Sequence, residues 1–127
     1  TDIRLHGDDL EMLHIPPFTE VYEIDGPYFF GIANKFDEIS QRMGTDGQKV
    51  RILRMRKVSF MDSTGIHNLE QFYVRSKRCG VTLVLSGVNE RVYKTLEKAG
   101  LVAMIGKENV RNHINGALSR AEEIVKN

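Results

Sequence analysis

A chain of 127 residues is long enough for one hydrophobic core and too short for two. Hydrophobic residues make up 41% and charged residues 28%, which excludes the sparse, highly charged composition of a disordered segment. Lys and Arg number 18 against 17 Asp and Glu, for a formal charge of +1, so no nucleic-acid partner is expected. No apolar run approaches the roughly 20 residues that cross a bilayer, so direct membrane insertion is not expected either.

The single cysteine, Cys79, has no partner for a disulfide, a zinc knuckle or a redox pair, and points to a reducing compartment. The chain opens on Thr1 rather than Met, through a polar stretch to Asp9 that is unlike a signal peptide, and this reads as a piece cut from a longer protein.

Residues 1–18 read as a lead-in, with adjacent prolines at Pro16 and Pro17 and a short apolar patch from Leu10 to Ile15 suited to one edge strand. The domain proper is expected over 19–127. Val21 to Ile24 alternates in polarity, Asp25-Gly26-Pro27 forms a turn and Tyr28-Phe29-Phe30 resumes a strand, which together predict a β-hairpin. Ile32, Phe36, Ile39 and Met43 then recur at helical spacing, predicting a helix that ends near Gly44.

After a turn at Thr45-Asp46-Gly47-Gln48, the segment Val50 to Val58 reads as a strand in which Arg51, Arg54, Arg56 and Lys57 interleave with apolar residues. These cations are expected on a charged edge or a solvated face rather than around a phosphate. A helix from about Ser63 to Gly80 carries Ile66, Leu69, Phe72 and Tyr73 on one side. Val81 to Leu85 is apolar enough for a parallel strand covered on both faces, in the centre of the sheet.

Asn89 is placed to cap a helix bearing Val92, Leu96 and Ala99, with Gly100 as its terminating residue. Leu101 to Ile105 is expected to be a short strand or buried extended segment. A long amphipathic helix runs from Val110 through Ile114, Ala117, Leu118 and Ala121 to Ile124 and Val125. The alternation predicts an α/β fold: a mixed, mostly parallel sheet of about four or five strands with about four helices.

Asp62-Ser63-Thr64-Gly65 falls where a strand gives way to a helix, behind Val58-Ser59-Phe60-Met61, whose apolar members can seat the turn against the core. A helix start has N–H groups without intrahelical partners and the positive end of the dipole, so Asp62, Ser63 or Thr64 can cap it. Capping alone is the plain reading of so short a string. A phosphate added there would bring about −1.5 to −2 charges, enough to repel an acidic partner or attract an arginine without refolding the chain.

The longer pattern, V-S-F-M-D-S-T-G-I followed by V-T-L-V-L and a capped helix, resembles the STAS family over roughly Val21 to Ile124. That family comprises anti-sigma factor antagonists and the cytoplasmic C-terminal domains of SulP anion transporters. In the antagonists the serine directly after the motif aspartate is the phosphorylated switch. The resemblance places that role on Ser63, with Thr64 as the neighbouring acceptor, and makes Asp62, Ser63, Thr64, Gly65 and His67 the candidate partner- or nucleotide-binding residues.

The stretch Tyr22 to Phe36, with Gly26-Pro27, Phe29-Phe30 and Phe36, is similar to the transporter branch, and it lacks the Gly-x-Leu-Asp turn usual in antagonists. The short loop Gly44 to Gln48 fits a minimal bacterial type. The resemblance therefore implies a non-catalytic, cytoplasmic regulatory domain of an inner-membrane sulfate or other anion transporter. Its partners would be the transporter's membrane part, a second copy or a soluble regulator, and it would have no cofactor beyond weak nucleotide binding. The alternatives are a free-standing antagonist switched at Ser63 and a nucleotide-binding module.

The residues point to no enzyme. His6, His14, His67 and His113 lack the spacing of a helical zinc site, and His67, one turn after Ser63, has no strained G-x-S-x-G elbow around that serine. Gly106-Lys107 lacks the upstream glycine of a phosphate loop, and Cys79 lies at a helix end whose dipole disfavours a thiolate.

Overall fold

The structure is a computed structural model that describes residues 3–5, 14–24 and 47–126. The Asp25-Gly26-Pro27 turn, the strand expected at Tyr28 to Phe30 and the helix expected at 32–44 lie outside those residues.

The described strands are β1 (Ile3–Leu5), β2 (Thr19–Ile24), β3 (Val50–Arg54) and β4 (Thr82–Ser86), forming one sheet in the order β1-β2-β3-β4. The pair β1 and β2 is antiparallel, while β2, β3 and β4 run parallel. The antiparallel edge strand thus comes from within the lead-in, at Ile3–Leu5, and His14–Pro16 form no strand.

Alternation along the pleat sends side chains to two faces, and a helical layer covers each. Tyr22, Ile24, Leu53, Leu83 and Leu85 join the larger core with Leu69 and Phe72 of α1 (Ser63–Arg78), Val92 and Leu96 of α2 (Glu90–Lys98), and Leu101, Val102 and Ile105 of α3 (Leu101–Ile105). Val21, Val50, Ile52 and Val84 face the other way and pack on Ile114, Ala117, Leu118 and Ala121 of α4 (Ile114–Lys126). The α/β class and the mostly parallel sheet are as expected from the sequence, but β4, expected at the centre of the sheet, is the last strand of the described order, with only the isolated bridge of Val110 to Leu85 beyond it.

Several expectations are corrected. Leu101 to Ile105 is helical: Gly100 adopts φ +81°, the chain restarts, and Met104 and Gly106 donate to the carbonyls of Gly100 and Val102. A continuous apolar run has no period to distinguish strand from helix, and in the helix Leu101, Val102 and Ile105 are all buried.

The last helix starts at Ile114, four residues late, because Val110 is extended and bridges Leu85 in parallel, with Arg111 N–H donating to Leu85 C=O at 2.8 Å. The strand begun at Val50 also ends early. Val58 N–H turns back to Met55 C=O at 3.0 Å, so Arg56 and Lys57 sit in a loop.

A further correction concerns charge. Arg51 and Arg54 are 0% and 4% exposed, because β3 lies between two strands and under helices on both faces, so neither is on a solvated face. Arg51 instead lies over the Tyr22 ring at 5.2 Å and pairs with Glu20 at 2.7 Å. Tyr22 Oη donates to the same Glu20 oxygen at 2.8 Å, so a buried guanidinium and a phenol meet on one carboxylate.

Candidate functional site

The site at the start of α1 is held from behind. Val58 and Met61 are buried in the larger core and anchor the loop that leaves β3, which leaves Asp62, Ser63 and Thr64 exposed at the surface. Asp62 is the N-cap: its backbone is extended and its Oδ1 accepts from Gly65 N–H at 2.8 Å, while Ile66 N–H reaches the Asp62 carbonyl at 3.0 Å. Of the three candidate caps it is therefore the carboxylate that serves, and the hydroxyls of Ser63 and Thr64 do not have that task.

A second helix start stabilises the same loop. Asn89 Oδ1 accepts from Val92 N–H at 2.7 Å, capping α2 as expected, and Asn89 Nδ2 donates to Val58 C=O at 3.0 Å. Two residues on, the Arg91 guanidinium lies 6.0 Å from the centre of the half-buried Phe60 ring. The segment from Val58 to Met61 is thus held by its own apolar side chains and by the first turn of α2. Nothing in the sequence spacing of Asn89 and Val58 announces this contact, since 31 positions separate them.

The structure brings together Asp62, Ser63 and Thr64 as one exposed turn, with exposed His67 one helical turn further on. Gly65 is buried, and its N–H is taken by Asp62. A phosphate from a free nucleotide would have to compete with that carboxylate for the helix's positive end, and would meet its charge. A phosphate attached to Ser63 would need no such seat, because Ser63 stands at the surface.

Among the described residues no group of three or more His, Cys, Asp or Glu side chains is placed to hold a metal ion, and no helix is long and apolar enough to cross a membrane. Cys79 is exposed at the end of α1.

Residues 10–117 of this chain match one family, the STAS domain. The chain belongs to the STAS domain family. It is similar to a sulfate transporter family protein from Wolinella succinogenes, whose crystal structure superposes with a TM-score of 0.85 at 38% identity over 92% of this chain and 95% of that one. The STAS domain of a Vibrio cholerae SulP transporter matches at 33% identity and a TM-score of 0.77, over 89% of this chain and 88% of that one.

A putative sulfate transporter of Bacillus subtilis is 31% identical over 97 residues, which are 76% of this chain and 18% of that protein. The STAS chain thus spans less than a fifth of the length of the curated transporters it matches, at 15% and 18%. A putative anti-sigma factor antagonist from Thermotoga maritima shares the fold, with a TM-score of 0.69 over 88% of this chain and 92% of that one, at 17% identity.

Proposed function

We propose that this STAS domain is a non-catalytic regulatory domain of a SulP-type anion transporter, on the cytoplasmic side of the membrane. It would act by docking on the membrane part of its own protein, on a second copy or on a soluble regulator. The observation that carries this reading is that a sulfate transporter family protein and the STAS domain of a SulP transporter match this chain at over 30% identity over 95% and 88% of their own lengths. In the proposed mechanism the sheet and its two helical layers form a rigid base, and the exposed Asp62-Ser63-Thr64 turn is the part a partner reads. Ser63, or Thr64 beside it, would accept a phosphate that changes the charge of that turn by about −1.5 to −2 while leaving the cap on Asp62 in place.

The experiment is anion uptake by the parent protein in cells, comparing wild type with Ser63→Ala and Ser63→Glu, alongside the reading of the coding sequence ahead of Thr1. A multi-span segment upstream and an uptake rate that differs between the two variants are the expected results. A coding sequence with no such segment, together with capture of an anti-sigma kinase that Ser63→Glu abolishes, would move the protein to the antagonist reading. Calorimetry with GTP and ATP tests the nucleotide reading, and heat that survives Asp62→Ala but vanishes in Ser63→Glu would support it.

A further inference from the structure

The ends of β2, β3 and α1 opposite to the Asp62 turn form one continuous surface. Phe18 C=O accepts from Lys49 N–H at 2.8 Å and from Val50 N–H at 3.1 Å, Lys49 C=O accepts from Thr82 N–H at 2.9 Å, and Val81 N–H donates to Ser76 C=O at 2.9 Å. Main-chain hydrogen bonds therefore join the segments 14–19, 47–50 and 74–82 through Phe18, Lys49, Val50, Ser76, Val81 and Thr82. Those three segments contain four Lys or Arg residues, Lys49, Arg75, Lys77 and Arg78, and no Asp or Glu. Lys49, Lys77 and Arg78 are exposed.

An aromatic ring stands in this basic patch. Phe18 is 51% exposed, one of two large hydrophobic side chains exposed among the described residues. Its backbone has φ +58°, the one positive φ on a described residue other than glycine, in a conformation that costs a side chain about 1 kcal/mol or more. Lys49 Nζ lies 5.3 Å from the ring centre. Basic residues in the last turn of α1 complement its dipole, but that does not account for Lys49, which is on no helix, or for a ring held outward on a strained backbone.

We infer that this pole is a peripheral contact surface for an anionic lipid bilayer. Lys49, Lys77 and Arg78 would lie at the headgroup phosphates, and the Phe18 ring would enter the boundary between headgroups and acyl chains. An aromatic body beside flexible cations suits that boundary, where one side is apolar and the other wet and negatively charged. Tethering to a membrane part, as proposed above, would hold the pole near a bilayer, yet the contact is a property of this chain alone and is tested without the transporter.

The test is co-sedimentation of the 127-residue chain with vesicles of phosphatidylcholine alone, or with about a third of the lipid replaced by phosphatidylglycerol, at low and high salt. Binding is expected only on the anionic vesicles and is expected to fall with salt. Lys77→Glu with Arg78→Glu should weaken it by at least about tenfold, and Lys49→Gln by about fivefold. Phe18→Ser should lower the binding that remains at high salt. A control reversal away from this pole, Lys94→Glu with Lys107→Glu, carries the same change in net charge and should leave most of the binding intact.

Each variant is first checked for an unchanged circular dichroism spectrum. No sedimentation of wild type, equal binding to neutral vesicles, or an equal loss in the control reversal would overturn the inference. So would binding to soluble polyglutamate, but not to vesicles, through the same residues, which would assign the surface to an acidic protein segment.

Discussion

Glu23 and Arg56 are joined by a two-pronged hydrogen bond: Arg56 Nε donates to Glu23 Oε2 at 2.9 Å and Arg56 Nη2 to Glu23 Oε1 at 3.1 Å. The Glu23 side chain is 2% exposed, and Lys57 Nζ stands 3.7 Å from the same carboxylate. The pair fastens the C-terminal end of β2 to the loop that leads to Asp62, so it helps to place the candidate site. Arg56 is 44% exposed and can turn to water if its partner is lost, whereas the carboxylate cannot. Removing the arginine should therefore cost more than neutralising the acid: about 2 to 3 kcal/mol for Arg56→Ala against about 1 kcal/mol for Glu23→Gln. Urea denaturation at neutral pH gives both values, and the reverse order would show that Lys57 is enough for Glu23.

Gly87 should tolerate no side chain. Its φ is +70°, and a Cβ there would lie 2.8 Å from Arg56 N and 2.9 Å from both Arg56 Cα and Cβ. These atoms belong to a loop already fixed by Met55 N–H on Ser86 C=O at 2.7 Å, so the clash has no easy release. Gly87→Ala is expected to lower stability by about 2 to 4 kcal/mol. Gly80→Ala has a similar φ of +75° and open space around it, and should cost only about 1 kcal/mol. Thermal midpoints of the two variants measure the difference.

Asn89 does two jobs, capping α2 through Oδ1 and holding Val58 C=O through Nδ2. Asn89→Ala loses both, for an expected cost of about 2 kcal/mol, while Asn89→Asp keeps the cap and loses the tie to Val58, for about 1 kcal/mol. Denaturation curves give the costs. Hydrogen exchange at Asp62 to Gly65 should speed up in both variants, which reports the loosening of the loop itself.

What the sequence showed and what it hid follow from the range of the forces involved. The helix starts at Asp62 to Thr64 and at Asn89 were legible because a cap is a bond across three residues, and β4 was legible as a strand, although the same kind of glycine-flanked apolar run at Leu101 to Ile105 is a helix. The role of Arg51 was hidden: alternation with charged residues looks like a solvated face, and only the pairing of β3 between β2 and β4 puts the guanidinium under cover, against Tyr22 and Glu20. Val110 was drawn into the last helix by its apolar spacing, and its bridge to Leu85 is a contact between residues 25 positions apart, beyond any local pattern. The seating of the Asp62 loop by Asn89 was hidden for the same reason.

The pair of Glu122 and Lys126 is a local feature with a pH signature. Lys126 Nζ is 2.8 Å from Glu122 Oε1, one turn along α4, and this hydrogen bond, followed by the lysine's charge, holds the Glu122 carboxyl below its ordinary value of 4.5. Because the folded value is the lower one, the pair's contribution is present above the ordinary carboxylate range and is lost as pH falls through the folded value. Lys126 is raised by the same contact, so at the alkaline end the contribution is lost as pH rises through its folded value. A carboxyl-detected NMR titration of Glu122 should give a midpoint below that of a free glutamate, returning to the ordinary value in Lys126→Met. Both groups are exposed, so added salt should shrink the shift.

Ser63 is the position where function and stability should separate. It is the first residue of α1, it is exposed, and no acidic residue occupies the first turn. A negative charge there gains from the positive end of the helix by about 0.3 to 1 kcal/mol and loses part of that to the neighbouring carboxylate of Asp62. Ser63→Glu should therefore fold with a thermal midpoint within a few degrees of wild type, whereas Asp62→Ala, which removes the bond to Gly65 N–H, should lose about 1 kcal/mol. If Ser63→Glu instead unfolded the domain, the turn would be a structural element with no room for a phosphate, and regulation at Ser63 would have to be abandoned. An unchanged midpoint combined with altered anion uptake by the parent protein would show that the charge acts on the partner and not on the fold.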